Sequence, residues 1–475
     1  MNIDRDLFQN LSTYSHVVIS WVGDDGYPMQ TAASLVADAD RGEIRMTPPG
    51  QAVPTDRVVN VIASHIRPTP GEGYDQRRYV SLWGHLRADG GELVLRPERA
   101  WGWDENDIPF FEYAERSNHQ ASRYLSKLSQ ERGVAVKPRL SPLWTFLLAT
   151  RLPFLTATFV PILLGLAIAA RDGVFHWGFA IATVVAGAAI HIGLNVANDV
   201  FDTLSGADDA NVNPTQFSGG SRVIQYGLVS LRGMTMISAT GYVVGIGLGL
   251  YLVVARGSLE LLVIGVVGVL ISVFYTAPPF RLVHRGLGEI TTGLGFGPVM
   301  VLGAYTVQTG RFAWEPLVAS IPVGIFIALV LYVNEIPDRA GDAAVGKRTL
   351  PVRWDQTTVA RGFLVAAAAA FLLIAVAAPI GLIPRPTLIA LVTVPLALEV
   401  YRGIQRNYNS PYELMATMGK NVQLHLVAGL LLFAGYIISV IADRIDHAIA
   451  AIGAAHLPLA LIAHEAQLLL AGLAG

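Results

Sequence analysis

The 475-residue sequence contains no cysteine. Disulfides, thiolate nucleophiles and thiolate metal sites are therefore excluded. Charge is scarce as well. Asp, Glu, Lys and Arg make up 15% of the chain, against about 25% in an ordinary soluble domain. The N-terminus, Met1-Asn2-Ile3-Asp4-Arg5-Asp6, has no basic stretch leading into an apolar core, so it does not read as a secretory signal peptide. The first hydrophobic span is then expected to direct the chain to a membrane. The formal net charge of −2 says little, because the charge is unevenly placed; no nucleic-acid partner is expected. What the chain has in excess is apolar residues, 52% of the total.

Those residues divide the chain in two. Residues 1–140 have soluble character. Val17–Trp21 and Tyr79–Trp83 are short β-like runs, and Asp24-Asp25-Gly26-Tyr27-Pro28 and Asp89-Gly90-Gly91 are turn signals between such runs. An antiparallel sheet or small barrel is expected, followed by helix over 110–132 and a linker at Lys137-Pro138-Arg139 and Ser141-Pro142. From Leu152 onward the pattern is that of a polytopic all-α membrane protein. A bilayer crossing needs roughly 20 apolar residues. About nine spans of that kind lie near 153–170, 177–198, 234–255, 258–276, 288–309, 315–334, 361–381, 384–401 and 421–442. The membrane domain is read as 141–445. Residues 446–475, with His456, Pro458, His464 and Glu465, read as either a tenth, kinked span or a surface helix.

Loops after the second, fourth, sixth and eighth spans carry roughly eleven Lys and Arg, the alternate loops roughly four. Lysine and arginine accumulate on the cytoplasmic side, so the first set of loops and the soluble domain are expected there, in the cell membrane.

Carboxylates near a bilayer core are costly, which makes two acidic clusters conspicuous. The first is Asn198-Asp199-Val200-Phe201-Asp202, continuing to Gly206, Asp208 and Asp209. The second is Asn334-Glu335-Ile336-Pro337-Asp338, continuing to Asp342. Both end even-numbered spans and fall on the same predicted side. Asn198 and Asp202, and Asp338 and Asp342, are four apart and share a helix face. A ligand needing several negative charges is implied, and a magnesium-bound diphosphate fits, because Mg²⁺ takes a few carboxylates plus phosphate oxygens. The plainer alternative is a pair of helix ends carrying ordinary loop charge. Arg151, Arg222, Arg281, Arg285, Lys347 and Arg348 are candidate cations for a leaving diphosphate; the alternative is that they anchor topology, the role expected of Arg402, Arg406 and Lys420. Tyr275, at the end of the fourth span, is either a cation-stabilising ring or an interfacial anchor. Gly293, Gly295, Gly297 and Pro298 read as close helix packing.

These motifs carry a resemblance. Asn198 through Ser230 (with Gly219-Gly220-Ser221-Arg222), Phe274-Tyr275-Thr276-Ala277-Pro278-Pro279-Phe280, Arg285–Glu289 and Asn334–Leu350 resemble the UbiA superfamily of intramembrane prenyltransferases, over about residues 145–442. Within it they look most like the 1,4-dihydroxy-2-naphthoate polyprenyltransferases of menaquinone synthesis. The resemblance implies nine helices around a cavity opening to lipid, two Mg²⁺ ions, a polyprenyl diphosphate donor and an aromatic acceptor. It implies metal-binding roles for Asn198, Asp199, Asp202, Asp208, Asp338 and Asp342, with Lys347 beyond the second motif. Many relatives have Asp where this chain has Gly206, and Asp208 follows as in the naphthoate branch. Other acceptors (4-hydroxybenzoate, a porphyrin, a lipid), an intramembrane terpene cyclase and, remotely, a transporter remain alternatives. Residues His16–Pro28 and Arg78–Gly84 resemble the flavin-binding split barrels related to pyridoxamine 5′-phosphate oxidase. Such barrels grip phosphate after the third strand, whereas here Thr47-Pro48-Pro49-Gly50 is followed only by Arg57 before Asn60. A degenerate, structural or regulatory barrel is expected, with FMN the less favoured alternative.

Overall fold

The computed structural model of the protein describes residues 2–24, 26–47, 53–69, 73–108, 113, 123–134, 136, 141–211, 214–215 and 217–472. Asp25, Pro48-Pro49-Gly50, the linker residues Lys137-Pro138-Arg139 and most of 110–122 lie outside them, as do the side chains of His456, Pro458, His464 and Glu465. The chain divides into two compact units, Met1–Ser117 and Asn118–Gly475.

The first unit begins with helix α1 (Arg5–Leu11), whose Asp4 cap accepts from Leu7 N at 3.1 Å. Seven antiparallel strands follow: β1 (His16–Val22), β2 (Pro28–Asp38), β3 (Glu43–Met46), β4 (Val58–Thr69), β5 (Gly73–Asp89), β6 (Glu92–Leu95) and β7 (Arg99–Asp104). The order β4-β1-β2-β3-β6-β5 closes through β4–β5 into a six-stranded barrel, and β7 pairs along β5. Period-2 patterning causes this. In β1, Val17, Ile19 and Trp21 point inward and alternate with more exposed neighbours. They meet Val59, Val61, Val80 and Leu82 in one core, sealed by Leu7, Phe8 and Leu11 of α1. Closure satisfies the edge strands that an open sheet would leave unpaired.

The second unit is helical: α2 (123–132), α3 (Pro142–Thr150), α4 (Thr156–Arg171), α5 (Trp177–Ser205), α6 (Ala207–Ala210), α7 (Leu231–Arg256), α8 (Leu259–Thr276), α9 (Gly288–Leu294), a π-helical turn (Gly295–Val299), α10 (Met300–Thr309), α11 (Trp314–Ala344), α12 (Leu350–Arg353), α13 (Gln356–Ala377), a 3-10 stretch (Arg385–Thr393) running into α14 (Val394–Asn407), and α15 (Pro411–Gly472). Among the described residues eight helical segments are long and apolar enough to cross a membrane; α4 is apolar but shorter, at 16 residues. The protein is an integral membrane protein. Residues 446–472 extend α15 without a break.

Two helices overshoot the bilayer. At about 1.5 Å per residue, α5 with 29 residues and α11 with 31 reach roughly 44 and 46 Å, against a hydrocarbon core of about 30 Å. Each carries its acidic motif in its C-terminal part. Gly206 ends α5 at φ +78°, a left-handed conformation that glycine adopts without a Cβ penalty. The chain turns there into α6, and Asp208 comes back over the end of α5. A residue with a side chain at 206 would resist that turn. Close packing supports the bundle: a Cβ on Gly297 would lie 2.7 Å from Gly324 Cα, and one on Gly293 would lie 3.2 Å from Gly324 O. Gly295 differs from the expectation made for all three. It lines a cavity, and a Cβ there would stay 3.5 Å from Ile271.

Candidate active site

The C-terminal ends of α5 and α11, the segment from α6 to Gly220 and Lys347 enclose a polar cavity of about 170 Å³. Its wall carries Asp202, Asp208, Asp338, Asp342 and Glu335 against two cations, Arg151 and Lys347. Motifs 140 residues apart in sequence thus meet. Lys347 joins them: its buried Nζ lies 3.5 Å from Asp202 Oδ2 and 3.4 Å from Asp342 Oδ1. Asn198 Nδ2 donates to the same Asp202 oxygen at 2.8 Å. Asp338 accepts from Asn211 Nδ2 at 2.7 Å and from the Gly219 backbone N–H at 3.0 Å. Asp199 stands behind the wall, where its Oδ2 accepts from Ser221 N at 3.1 Å. Gln225 Nε2 donates to Asp208 Oδ2 at 3.2 Å.

The balance of charge shows in the groups outside the spans. Burial, then the neighbouring charges of Asp202 and Asp199, pushes the Asp208 carboxyl up to about 8, against the opposing pull of Arg222 and Lys347. Burial disfavours the Lys347 ammonium, but Asp202, Asp342 and Glu335 outweigh it and hold the group well above the ordinary lysine value. The carboxylates outnumber their partners. Asp202 Oδ1, Asp342 Oδ2 and Asn334 Oδ1 are buried with no hydrogen-bond partner among the described residues, which is costly unless a cation satisfies them. No three acidic or histidine side chains among the described residues form a complete cage. Mg²⁺ takes one or two carboxylates and completes its shell with phosphate oxygens and water.

Four of the candidate cations are placed differently from expectation, among them Arg285, which is exposed, lies outside the cavity wall and donates Nη2 to Pro279 O at 3.3 Å. Arg222 is buried beside the site, but it donates Nη1 to the Asp208 carbonyl and Nη2 to the Asn211 carbonyl, the latter at 2.7 Å. It ties down the loop and is absent from the cavity wall. Arg281 and Arg348 are exposed and also outside the wall. A guanidinium on a flexible stem goes where carbonyls or water are available, which spacing alone does not reveal. Arg151 does line the cavity; its Nη2 donates to Phe217 O at 3.2 Å and its guanidinium sits 4.8 Å from the Phe154 ring centre. Asn211, Gly219, Ser221 and Gln225 were missed as supports. Gly219 and Ser221 at least stood in a quoted motif. The buried Glu289 and Glu335 also sit beside one another near the site, although only motif membership pointed to them.

A second cavity, about 380 Å³ and almost wholly apolar, runs between α5, α7, α8 and α10. The two cavities share His191, Leu194, Tyr275, Thr292 and Phe296. Tyr275 is therefore at the junction of charged and apolar space. A molecule with an anionic head and a hydrocarbon tail matches the pair.

The sequence profile of the UbiA prenyltransferase family matches residues 158–421, beyond the barrel. The 2-carboxy-1,4-naphthoquinone phytyltransferase of a Synechocystis species is 29% identical over 302 residues, covering 63% of this chain and 94% of that protein. The 1,4-dihydroxy-2-naphthoate octaprenyltransferase of Bacillus subtilis is 26% identical over 290 residues, 61% of this chain and 91% of that one. A UbiA homolog from Archaeoglobus fulgidus, solved with GPP and Mg²⁺ bound, aligns over 61% of this chain and 99% of its own at 13% identity and a TM-score of 0.44. The profile match takes in both acidic motifs, Lys347 and most of the helices around them, and it spans more than half of the sequence: the chain belongs to the UbiA prenyltransferase family and is a membrane prenyltransferase.

Proposed function

We propose that this enzyme transfers a polyprenyl group from an isoprenyl diphosphate to 1,4-dihydroxy-2-naphthoate, with Mg²⁺, as a step of quinone biosynthesis at the cytoplasmic face of the cell membrane. The observation that carries the reading is the junction: a carboxylate-walled cavity opens onto a larger apolar one across Tyr275, His191 and Phe296. The names of the two naphthoate-modifying relatives support the acceptor, and the Lys and Arg excess in alternate loops supports the orientation.

Asp202, Asp208, Asp338 and Asp342, supported by Asn198 and by Asp199 from behind, would hold two Mg²⁺ ions, one or two carboxylates to each. Mg²⁺ supplies positive charge to the diphosphate oxygens. Lys347 and Arg151 then face the head group and stabilise the charge that grows on it as it leaves. The allylic C–O bond breaks, its electron pair stays with the diphosphate, and the carbon at the junction becomes cation-like. Tyr275 presents an electron-rich ring there. Apolar walls exclude the water that would otherwise capture the cation. The electron-rich naphthalene ring attacks with the carbon bearing the carboxylate. The new C–C bond takes the ring's electrons, and loss of CO₂ returns them. One diphosphate, one CO₂ and one prenylated naphthoquinol result, and no ring C–H proton needs a base.

The test is diphosphate release by the purified, detergent-solubilised protein with Mg²⁺ and geranylgeranyl diphosphate, with and without 1,4-dihydroxy-2-naphthoate, followed by mass spectrometry of the lipid extract. Acceptor-dependent release with a prenylated naphthoquinol is expected. Acceptor-independent release with a hydrocarbon or terpene alcohol would replace the reading with a cyclase. Release that needs 4-hydroxybenzoate instead would overturn the acceptor alone.

A further inference from the structure

The face of α5 that enters the site carries more polar groups than diphosphate binding uses. His191, Asn195, Asn198 and Asp202 follow at spacings of four, three and four, which places them in one stripe along the helix. Asn198 and Asp202 belong to the first acidic motif. Asn195 lies about 4.5 Å deeper along the axis than Asn198, and His191 about 6 Å deeper again. All four levels touch cavity: Asn195 lines the polar one, and His191 lines both.

Each deep residue keeps a polar atom that packing does not use. The Asn195 Nδ2 group is buried and has no hydrogen-bond partner among the described residues. Leaving such a donor unpaired is unfavourable, and it is unpaired in the wall of a cavity. His191 is only 4% exposed. Its Nδ1 is 2.6 Å from Thr158 Oγ1, which fixes the ring, and Phe296 packs edge-on with ring centres 4.8 Å apart. With Nδ1 committed, Nε2 is the ring atom left for a ligand. A prenyl tail offers nothing to either group, and the diphosphate is held a turn or more nearer the cytoplasmic end.

We infer that Asn195 and His191 form the polar anchor of the aromatic acceptor, one that takes a hydroxylated aromatic carboxylic acid with its ring against Phe296. Asn195 Nδ2 donates to the acceptor's carboxylate or hydroxyl oxygen, and His191 Nε2 pairs with a ring hydroxyl. The acceptor then lies beside the junction where the donor's first carbon is released. This rests on the prenyl-transfer reading above and adds which side chains select the acceptor.

The test is the split between acceptor and donor kinetics. Asn195→Leu, of nearly the same size, should raise the KM for 1,4-dihydroxy-2-naphthoate about tenfold or more, the effect of one lost hydrogen bond to a polar substrate. The KM for geranylgeranyl diphosphate should stay within about twofold. As a competitive inhibitor, 1,4-dihydroxynaphthalene, which lacks the carboxylate, should bind wild-type enzyme more weakly than 1,4-dihydroxy-2-naphthoate does, and Asn195→Leu should lose much of that difference in binding. His191→Phe should raise the acceptor KM in the same way. Mg²⁺-dependent binding of geranylgeranyl diphosphate reports folding of each variant. If Asn195→Leu fails that control, Asn195→Ala removes the amide without adding bulk and takes its place. Variants that bind donor and keep the wild-type acceptor KM overturn this inference and leave prenyl transfer standing. Wild-type protein that forms no acceptor-dependent product with any aromatic acid overturns the transfer reading itself.

Discussion

Gly220 offers a way to disturb the first acidic motif without changing any charge. It sits at φ +73°, and a Cβ placed there would lie 3.1 Å from Asp199 Oδ1, 3.1 Å from Asp208 Oδ1 and 3.3 Å from Asp208 Oδ2. Ordinary contact at such a position is 3.4–4 Å. Gly220→Ala therefore has two costs. The left-handed backbone costs an L-residue about 1–2 kcal/mol. The new methyl group also forces two carboxylates back by a few tenths of an ångström, in a site where metal–ligand distances tolerate about 0.2 Å. Gly227 separates the two effects. It has φ +68°, and a Cβ there meets nothing within 4 Å. Gly227→Ala should lose the same about 1–2 kcal/mol of stability and keep the wild-type Mg²⁺ dependence. Gly220→Ala should in addition need about 10–100-fold more Mg²⁺ for half-maximal turnover, the usual effect of displacing the support of a metal ligand. The assay is diphosphate release across a Mg²⁺ titration, with thermal unfolding of both variants alongside. Identical Mg²⁺ curves for the two alanine variants would refute the placement of Asp208 at the metal with Asp199 supporting it from behind.

Two other perturbations probe the two cavities separately. Asp202→Ala and Asp338→Ala should each lower turnover by at least about 10³-fold while the protein stays folded by thermal melt; near-normal rates in either would sink the assignment of metal to both motifs. Gly249 lines the apolar cavity and has open space where a Cβ would go, so Gly249→Leu should fill the groove and lower kcat/KM for geranylgeranyl diphosphate about tenfold relative to geranyl diphosphate. An unchanged ratio between the two donors would place the tail elsewhere.

Much of this architecture was legible because the bilayer imposes few solutions. A span must be long and apolar, and the expected 177–198, 258–276 and 288–309 correspond to α5, α8 and the run from Gly288 to Thr309. The meeting of Asp202 with Asp342 was legible for the same reason: isolated carboxylates at span ends are costly, so two sets on one side imply a common ligand. The barrel was legible from alternation in strands such as His16–Val22. Side-chain direction in the loops was not. Arg222 and Lys347 looked equivalent as cations near a motif, yet one grips backbone carbonyls and the other bridges Asp202 and Asp342. That difference follows from how residues 206–211 and 217–222 lie over the end of α5, which depends on Gly206 and on hydrogen bonds from Gly219 and Ser221. The polar stripe above the first motif does not stand out in the sequence; only the cavity gives Asn195 and His191 a meaning.

The bridge made by Lys347 also bears on biogenesis. Residues on both sides of it come from helices that leave the ribosome far apart in time: α5 is inserted long before α11 and the turn after it. Until α11 emerges the second set of carboxylates does not yet exist, and until the turn after it follows, Asp202 lacks its Lys347 partner. A nascent or truncated chain ending before α11 holds one half of the chemistry. The complete polar wall therefore forms only after both helices have been inserted.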